Sequence, residues 1–240
     1  MPGLIGRRRR FSPLRLAGCI FWAEADQITG LVDGDPVTTW FDLSGNGNNP
    51  TQSTASKKPT YKTNIVAGKP VVRFATDDEL ATSVVATFNF VNATLVLVRT
   101  NLTNFVPLDV AAAPGGDNES TFYGKAALHG QPLGGSNSQL PHQDSPAGFA
   151  VEVGVFGQDD QDLAYYLNGV ASNQAIIGTT GDYTAVNRAV SLGNRYQSVS
   201  GEFYDGDIAT VIIFNRKLSV MEIAWLSQQL GAKYGIAVTP

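Results

Sequence analysis

The chain has 240 residues, of which 43% are hydrophobic and 16% are charged, with 25 glycines and 12 prolines. This length suits one large β-sandwich domain, and the many turn-forming residues favour short strands over helices. The single cysteine, Cys19, excludes an internal disulfide, and with only two histidines in the chain the usual ligands of a zinc site are too few.

Positive charge is concentrated at the amino terminus. Residues 1–15 contain five arginines and no acidic residue, whereas the remainder has 12 basic and 21 acidic residues, so the formal net charge of −4 divides into +5 and −9. We therefore predict a basic arm of residues 1–18 and one domain of residues 19–240. Such arms bind nucleic acid, anionic lipid or acidic protein surfaces. We expect an acidic protein partner and no nucleic acid, because phosphates would repel the acidic body.

The arm resembles a bacterial lipoprotein signal, since an arginine run is followed by L-A-G-C at residues 16–19. A signal peptide needs roughly 7–15 uninterrupted apolar residues after its charges. Ser12, Pro13 and Arg15 interrupt this segment. We therefore expect no functional signal peptide. No stretch approaches the roughly 18 apolar residues of a transmembrane helix, so we also expect no membrane partner.

Alternating and continuous apolar runs predict strands along the chain. A glycine- and asparagine-rich segment at 42–49 indicates an ordered loop, and 112–145 reads as long loops around short strands near Phe122 and Tyr123. The clearest runs lie at 20–25, 37–41, 71–74, 94–98, 148–156, 164–171, 189–192 and 208–215. The run at 94–98 is apolar on both faces, which predicts a central strand.

Two local motifs predict a hairpin and a helix. Asn168 and Gly169 suit the two-residue turn of a β-hairpin. Ser219 with Glu222 three residues later forms a capping box. Ile223, Leu226 and Leu230 then recur on one helical face, which predicts a helix from about Ser219 to Leu230 with its stop near Gly231.

Several stretches carry a family resemblance: Trp22 with Asp26, D-G-D at 33–35, W-F-D-L-S-G-N-G-N at 40–48, G-K-P-V-V-R-F at 68–74, Y-L-N-G at 166–169, and motifs within 206–236. They resemble the laminin-G-like branch of the concanavalin A-like lectin/glucanase jelly rolls, over about residues 20–236. This resemblance implies an all-β, two-sheet antiparallel jelly-roll sandwich with one short C-terminal helix. Modules of this kind occur in bacterial surface proteins and in bacteriophage structural proteins.

Glucanases of this fold carry an E-x-D-x-E run, which places an acid and a nucleophile on one face of a strand. The sequence has no such run. We therefore predict that the chain is not an enzyme and has no catalytic residues.

The resemblance also suggests calcium as a ligand, because family members often bind the ion in acidic rim loops. Asp159, Asp160 and Asp162 are weak candidates, since they lack the ligand spacing of a defined calcium loop. We predict no cofactor, with calcium as the alternative.

Sugar binding requires an exposed aromatic face with amide or charged partners nearby. We expect Trp22 and Trp40 to be core residues, because both lie in strand-like runs. The candidate glycan contacts are Tyr183, Asn194, Arg195 and Tyr196.

The leading hypothesis is a non-enzymatic accessory protein of a bacteriophage virion, as a capsid decoration or tail-associated protein, with a homo-oligomer expected on the particle. Its arm would dock on capsid or tail subunits. The alternatives are a carbohydrate-binding module for bacterial or host polysaccharide and, less favoured, a glycoside hydrolase. The arm residues predicted to contact the partner are the arginines Arg7, Arg8, Arg9, Arg10 and Arg15 and the apolar anchors Phe11 and Leu14.

Overall fold

A computed structural model of the protein describes residues 11–100, 106–112, 119–123, 127–131, 138–141, 147–157, 162–178, 185–195 and 203–239. No helix within these ranges has the length and apolar character needed to cross a membrane.

The described residues form short strands and, near the C-terminus, an α-helix. In chain order the elements are β1 (Cys19–Glu24), β2 (Thr60–Val66), β3 (Lys69–Phe74), β4 (Leu80–Ala81), β5 (Val85–Phe90), β6 (Ala93–Arg99), β7 (Leu108–Ala111), β8 (Glu119–Tyr123), β9 (Ala127–Gln131), β10 (Ser138–Pro141), β11 (Ala150–Phe156), β12 (Leu163–Leu167), β13 (Val170–Ala171), β14 (Ile177–Gly178), β15 (Val186–Leu192), β16 (Gly206–Phe214) and α1 (Val220–Tyr234).

The strands form two antiparallel sheets. Sheet 1 has the order β13-β12-β11-β6-β16-β3-β2, and β1 also pairs with β16. Sheet 2 has the order β14-β10-β9-β8-β7-β15-β4, and β5 also pairs with β15. The predicted all-β antiparallel sandwich with one C-terminal helix is confirmed for the part of the chain that the structure describes.

The central strands of sheet 1 are buried on both faces, which explains the continuous apolar run in β6. Leu95 and Leu97 pack in the core between the two sheets. Val96 and Val98 pack in a second core beneath α1. The prediction that this strand is central is confirmed, because β6 lies between β11 and β16 with all of its residues buried.

The predicted hairpin is also present. Asn168 and Gly169 have φ angles of 50° and 82°, and they connect the paired residues Leu167 and Val170. Positive φ at both central residues is the requirement of a type I′ turn. The amide of Thr239 donates to the Asn168 carbonyl at 2.9 Å, so the C-terminal segment is tied to this turn.

The helix begins as predicted but ends later. The Ser219 side chain accepts from the Glu222 amide and the Glu222 side chain accepts from the Ser219 amide, which completes the capping box. The predicted stop at Gly231 is wrong, because the helix continues to Tyr234 and Gly235 takes the left-handed conformation at φ 66°. Gly231 serves packing instead: a Cβ there would lie 2.6 Å from a methyl carbon of Val238.

Candidate functional site

A surface pocket of about 340 Å³ lies between β1 and α1. We call it the β1–α1 pocket. Its walls come from the segment before β1, from β1 and the turn that follows it, from the start of β3 and from the last turns of α1. The lining residues are Phe11, Trp22, Glu24, Asp26, Gln27, Lys69, Gln229, Ala232 and Lys233.

Strand alternation explains why β1 contributes polar and aromatic groups to this pocket. Phe21 and Ala23 pack in the core between the sheets. Trp22 and Glu24 therefore lie on the opposite face, on the side of α1. The chain then turns through a short 3₁₀ segment, Ala25–Gln27, which brings the side chain of Asp26 to the same pocket.

The loop at 42–49 fixes the position of Trp22. The Asp42 carboxylate accepts from the backbone amide of Trp22 at 3.2 Å and from the amides of Ser44 at 2.8 Å and Asn48 at 3.1 Å. The Leu43 amide in turn donates to the Trp22 carbonyl at 2.7 Å. The predicted ordered loop therefore acts as a clamp along one edge of β1.

Two carboxylates and two ammonium groups meet in the β1–α1 pocket. Lys233 Nζ lies 2.7 Å from Glu24 Oε2 and 3.2 Å from Asp26 Oδ1. Lys69 Nζ lies 3.6 Å from Asp26 Oδ2. These four side chains therefore carry no net formal charge together.

Burial and neighbouring charges move the two carboxyl pKa values in opposite directions. Burial raises the pKa of Glu24 above its usual value of 4.5, although Lys233 opposes this increase. Burial also raises the pKa of Asp26, but Lys233, Gln27 and Lys69 outweigh it, and the net pKa lies below the usual value of 3.8. Glu24 is therefore the carboxyl that protonates first as the pH falls.

Two polar atoms of these lining residues are buried without a hydrogen-bond partner among the described residues. They are Trp22 Nε1 and Glu24 Oε1. The indole N–H lies close enough to the carboxylate to lower its pKa, although the two groups do not reach hydrogen-bond geometry. Buried polar groups are normally paired with protein or water. Both atoms lie beneath the pocket surface, so a ligand reaches them only if the lining side chains move.

The segment before β1 packs on the domain instead of extending from it. The ring of Phe11 lies 6.1 Å from the ring of Trp225 on α1, and Pro13 is buried. The Phe11 side chain thus packs against residues of its own chain, whereas Leu14 is 47% exposed. Arg7, Arg8, Arg9 and Arg10 lie outside the described residues, and docking of the arm on a partner stays a prediction.

Of the sequence-predicted glycan contacts, the two that the structure describes, Asn194 and Arg195, do not line this pocket. Asn194 is buried and Arg195 is half-buried, just after β15. Tyr183 and Tyr196 lie outside the described residues. The expectation for Trp40 is confirmed, because only 1% of it is exposed, but the expectation that Trp22 is a core residue is wrong, since Trp22 is half-buried and lines the pocket.

The predicted calcium residues give no metal site in the described part of the chain. Asp162 forms an ion pair with Lys217. Asp159 and Asp160 lie outside the described residues. Among the residues that are described, no group of three or more His, Cys, Asp or Glu side chains is arranged to hold a metal ion.

Sequence reasoning did not select the charged residues of the pocket. The available signal was the pattern Trp22-x-Glu24-x-Asp26, because a period of two places the first two side chains on one face of a strand. No local pattern indicates Lys233, which is 209 residues from Glu24 in the chain.

Neither a protein-family model nor a curated protein matches the chain, but solved structures share its fold. A GH54 α-L-arabinofuranosidase soaked with a cyclic sulfate inhibitor matches with a TM-score of 0.59 and 10% identity, over 90% of this chain and 63% of that chain. The sialidase of Trypanosoma rangeli in complex with sialic acid matches with a TM-score of 0.50 and 15% identity, over 95% and 35%. The binding domain of botulinum neurotoxin serotype D/C matches with a TM-score of 0.51 and 9% identity, over 89% and 52%.

These matches establish similarity of fold only, and the chain spans about a third of the length of the sialidase. They nevertheless correct one prediction. The inference that the chain is not an enzyme is wrong, because chains of glycoside-cleaving enzymes contain this fold. The missing E-x-D-x-E run therefore does not exclude glycoside hydrolysis.

Proposed function

We propose that this protein is a glycan-binding β-sandwich module and that the β1–α1 pocket holds the sugar. Sugar sites combine an aromatic surface with a few placed polar groups. The pocket offers Phe11 and Trp22 as aromatic walls, Gln27 and Gln229 as amides, and the charged residues described above. The observation that carries the proposal is that two aromatic rings, two amides and balanced charged groups line one surface pocket.

The similar solved structures support this proposal through their ligands and roles. One is a sialidase in complex with sialic acid, one is an α-L-arabinofuranosidase, and one is the binding domain of a neurotoxin. Proteins that bind or act on sugars thus recur among those that share the fold, and the β1–α1 pocket is the site that we propose for sugar binding in this chain.

A glycan array followed by calorimetry tests the proposal. The unmodified protein should bind at least one glycan class selectively. Trp22→Leu keeps an apolar side chain on β1 and removes the aromatic ring, so affinity should fall about threefold to tenfold, the value of one aromatic contact.

Two adjacent glutamines on α1 provide a matched control. Gln229 lines the pocket, whereas Gln228 is exposed and does not. Gln229→Ala should weaken binding, and Gln228→Ala should leave it unchanged. Equal effects of the two substitutions would mean that the sugar binds outside the β1–α1 pocket. Absence of selective binding across the array would contradict glycan binding itself.

We further propose that the module is carried on a bacteriophage particle, as a capsid decoration or tail-associated protein. The resemblance described above and the basic arm support this setting. Mass spectrometry of purified particles tests it, and a homo-oligomer should appear there at a fixed ratio to capsid or tail subunits. Absence of the protein from particles that infect normally would contradict this setting and leave the glycan proposal intact.

The two carboxyls of the pocket favour glycoside hydrolysis as a second candidate function. Glycosidases pair a carboxyl of raised pKa, which acts as the acid, with an ionised carboxylate. Glu24 and Asp26 have this division of pKa values. A polysaccharide that binds the protein should then release reducing ends, and Glu24→Gln should abolish release while binding persists. Binding without release at any pH would exclude this candidate.

A further inference from the structure

A second, smaller pocket of about 180 Å³ lies where the chain leaves the turn that follows β1. We call it the Phe41 pocket. Phe41 supplies an aromatic wall and is 60% exposed. Thr29, Thr38 and Thr39 contribute three hydroxyl groups, and a hydroxyl can both donate and accept a hydrogen bond. None of the lining residues is ionisable, so this pocket combines an exposed aromatic ring with hydroxyl groups and carries no charge of its own.

The backbone is anchored on both sides of Phe41. Trp40 is buried, and its amide donates to the Pro50 carbonyl at 3.0 Å. The Asp42 amide donates to Asn49 Oδ1 at 2.8 Å. The Phe41 ring is therefore presented to solvent from a fixed backbone, which reduces the entropy that a ligand must overcome to order it.

The Phe41 pocket adjoins the β1–α1 pocket along the backbone. Gln27 lines the β1–α1 pocket, and the next residue, Ile28, lines the Phe41 pocket. Their α-carbons are about 3.8 Å apart, the spacing across a trans peptide. A second connection runs through Trp22 of the β1–α1 pocket, whose carbonyl accepts from the amide of Leu43, two residues after Phe41. The same turn and the same edge of β1 thus support both pockets.

We propose, on the basis of the glycan-binding function above, that the Phe41 pocket is an extension subsite for an uncharged unit of a sugar chain that also occupies the β1–α1 pocket. The apolar face of the sugar ring packs on Phe41, and its hydroxyls bond to the threonines. A charged sugar would find no opposite charge among the lining residues, and an unpaired charge loses hydration without compensation. The ligand is therefore an oligosaccharide with a neutral unit at this position.

Neutral oligosaccharides of increasing length test the proposal. Cello-, xylo- and arabino-oligosaccharides of about one to six units would be titrated into the full chain by calorimetry. In at least one series, affinity should rise about threefold to tenfold once the sugar chain is long enough to reach Phe41, the value of one added aromatic contact.

Three variants separate the two pockets. Phe41→Ser should remove this rise and leave the affinity for the shortest bound member unchanged, whereas Phe41→Tyr keeps the ring and should retain the rise. Trp22→Leu should instead weaken every member by a similar factor, because every member uses the β1–α1 pocket.

Val32→Ser is the matched control for Phe41→Ser. Val32 is 68% exposed and lines neither pocket, so the dependence of affinity on length should not change. Because both replaced side chains are exposed, both serine variants should unfold at the same urea concentration as the unmodified protein. A loss of affinity confined to Phe41→Ser then reports on the ligand contact and not on folding.

The outcomes distinguish this proposal from the one on which it rests. Affinity that does not depend on length, or a rise that survives Phe41→Ser, would overturn the extension subsite and leave glycan binding in place. Selective binding of charged glycans on the array, with no binding of any neutral series, would also overturn the neutral subsite while glycan binding stands. Failure to bind any glycan would overturn both proposals.

Discussion

Replacement of Lys233 by methionine tests whether this residue holds the β1–α1 pocket together. Its ammonium lies 2.7 Å from the Glu24 carboxylate, and the side chains are 15% and 3% exposed. An exposed pair of the same length provides the comparison: Lys62 lies 2.7 Å from Asp33, with side chains 25% and 49% exposed. The two ion pairs therefore have the same N–O distance but differ in how deeply their side chains are buried.

The two substitutions should have different costs. Removing one partner of a buried pair leaves an uncompensated charge, which costs about 3–5 kcal/mol when burial is complete. Lys233 retains some exposure, so we expect about 3 kcal/mol for Lys233→Met. Exposed pairs contribute far less to stability than buried ones, so Lys62→Met should cost only a small fraction of what Lys233→Met costs.

The cost of Lys233→Met should depend on pH. Without the ammonium, the pKa of Glu24 rises further, so the folded variant binds a proton more tightly than the unfolded chain does. The stability of the variant then increases as the pH falls through this raised pKa toward 4.5, the usual value. The unmodified protein meanwhile loses the stabilisation that comes from the lowered pKa of Asp26, which is present above 3.8 and disappears as the pH falls further.

Urea unfolding followed by tryptophan fluorescence measures both effects. The difference between the unmodified protein and Lys233→Met should be largest near pH 7 and should shrink in acid. Equal costs for Lys233→Met and Lys62→Met, or a cost for Lys233→Met that does not change with pH, would refute this account of the pocket.

Two further predictions concern ion pairs outside the pocket. Glu152 pairs with Arg99 at 2.5 Å, and both side chains are fully buried. Glu152→Gln should therefore lower the free energy of unfolding in urea by about 3–5 kcal/mol. A decrease below about 1 kcal/mol would mean that the pair is hydrated. The pKa of Glu222 falls to about 2 because its carboxylate accepts from Arg216 and from the Ser219 amide. This stabilisation is present above pH 4.5 and is lost as the pH falls toward 2. Glu222→Gln should therefore cost about 1 kcal/mol at pH 7 and almost nothing near pH 2, and an equal cost at both values would contradict the assignment.

Local patterns in the sequence predicted the sandwich well. The capping box at Ser219 and the turn at Asn168 and Gly169 each depend on residues a few positions apart, so short-range chemistry determines them. The continuous apolar run of β6 predicts that this strand is buried on both faces, because a strand with one solvent-exposed face alternates apolar and polar residues. These features needed no knowledge of distant contacts.

Features that depend on distant contacts were missed or wrong. Gly231 was predicted to stop the helix, but its role is to admit Val238, which returns to α1 after the helix has ended. Trp22 was predicted to be a core residue, because an aromatic residue in a strand is usually covered. Here the helix covers that face only in part, so Trp22 remains at the rim of a pocket.

The position of the pocket connects ligand binding to the closure of the fold. β1 is the first strand and α1 the last element of the described fold, and Lys233 joins them through the carboxylate of Glu24. Trp22 and Glu24 also line the pocket. A sugar held there as proposed would bind only the folded chain, so its binding would add to the free energy of unfolding. If the proposed site is correct, recognition and stability depend on the same few side chains, where the first strand meets the C-terminal helix.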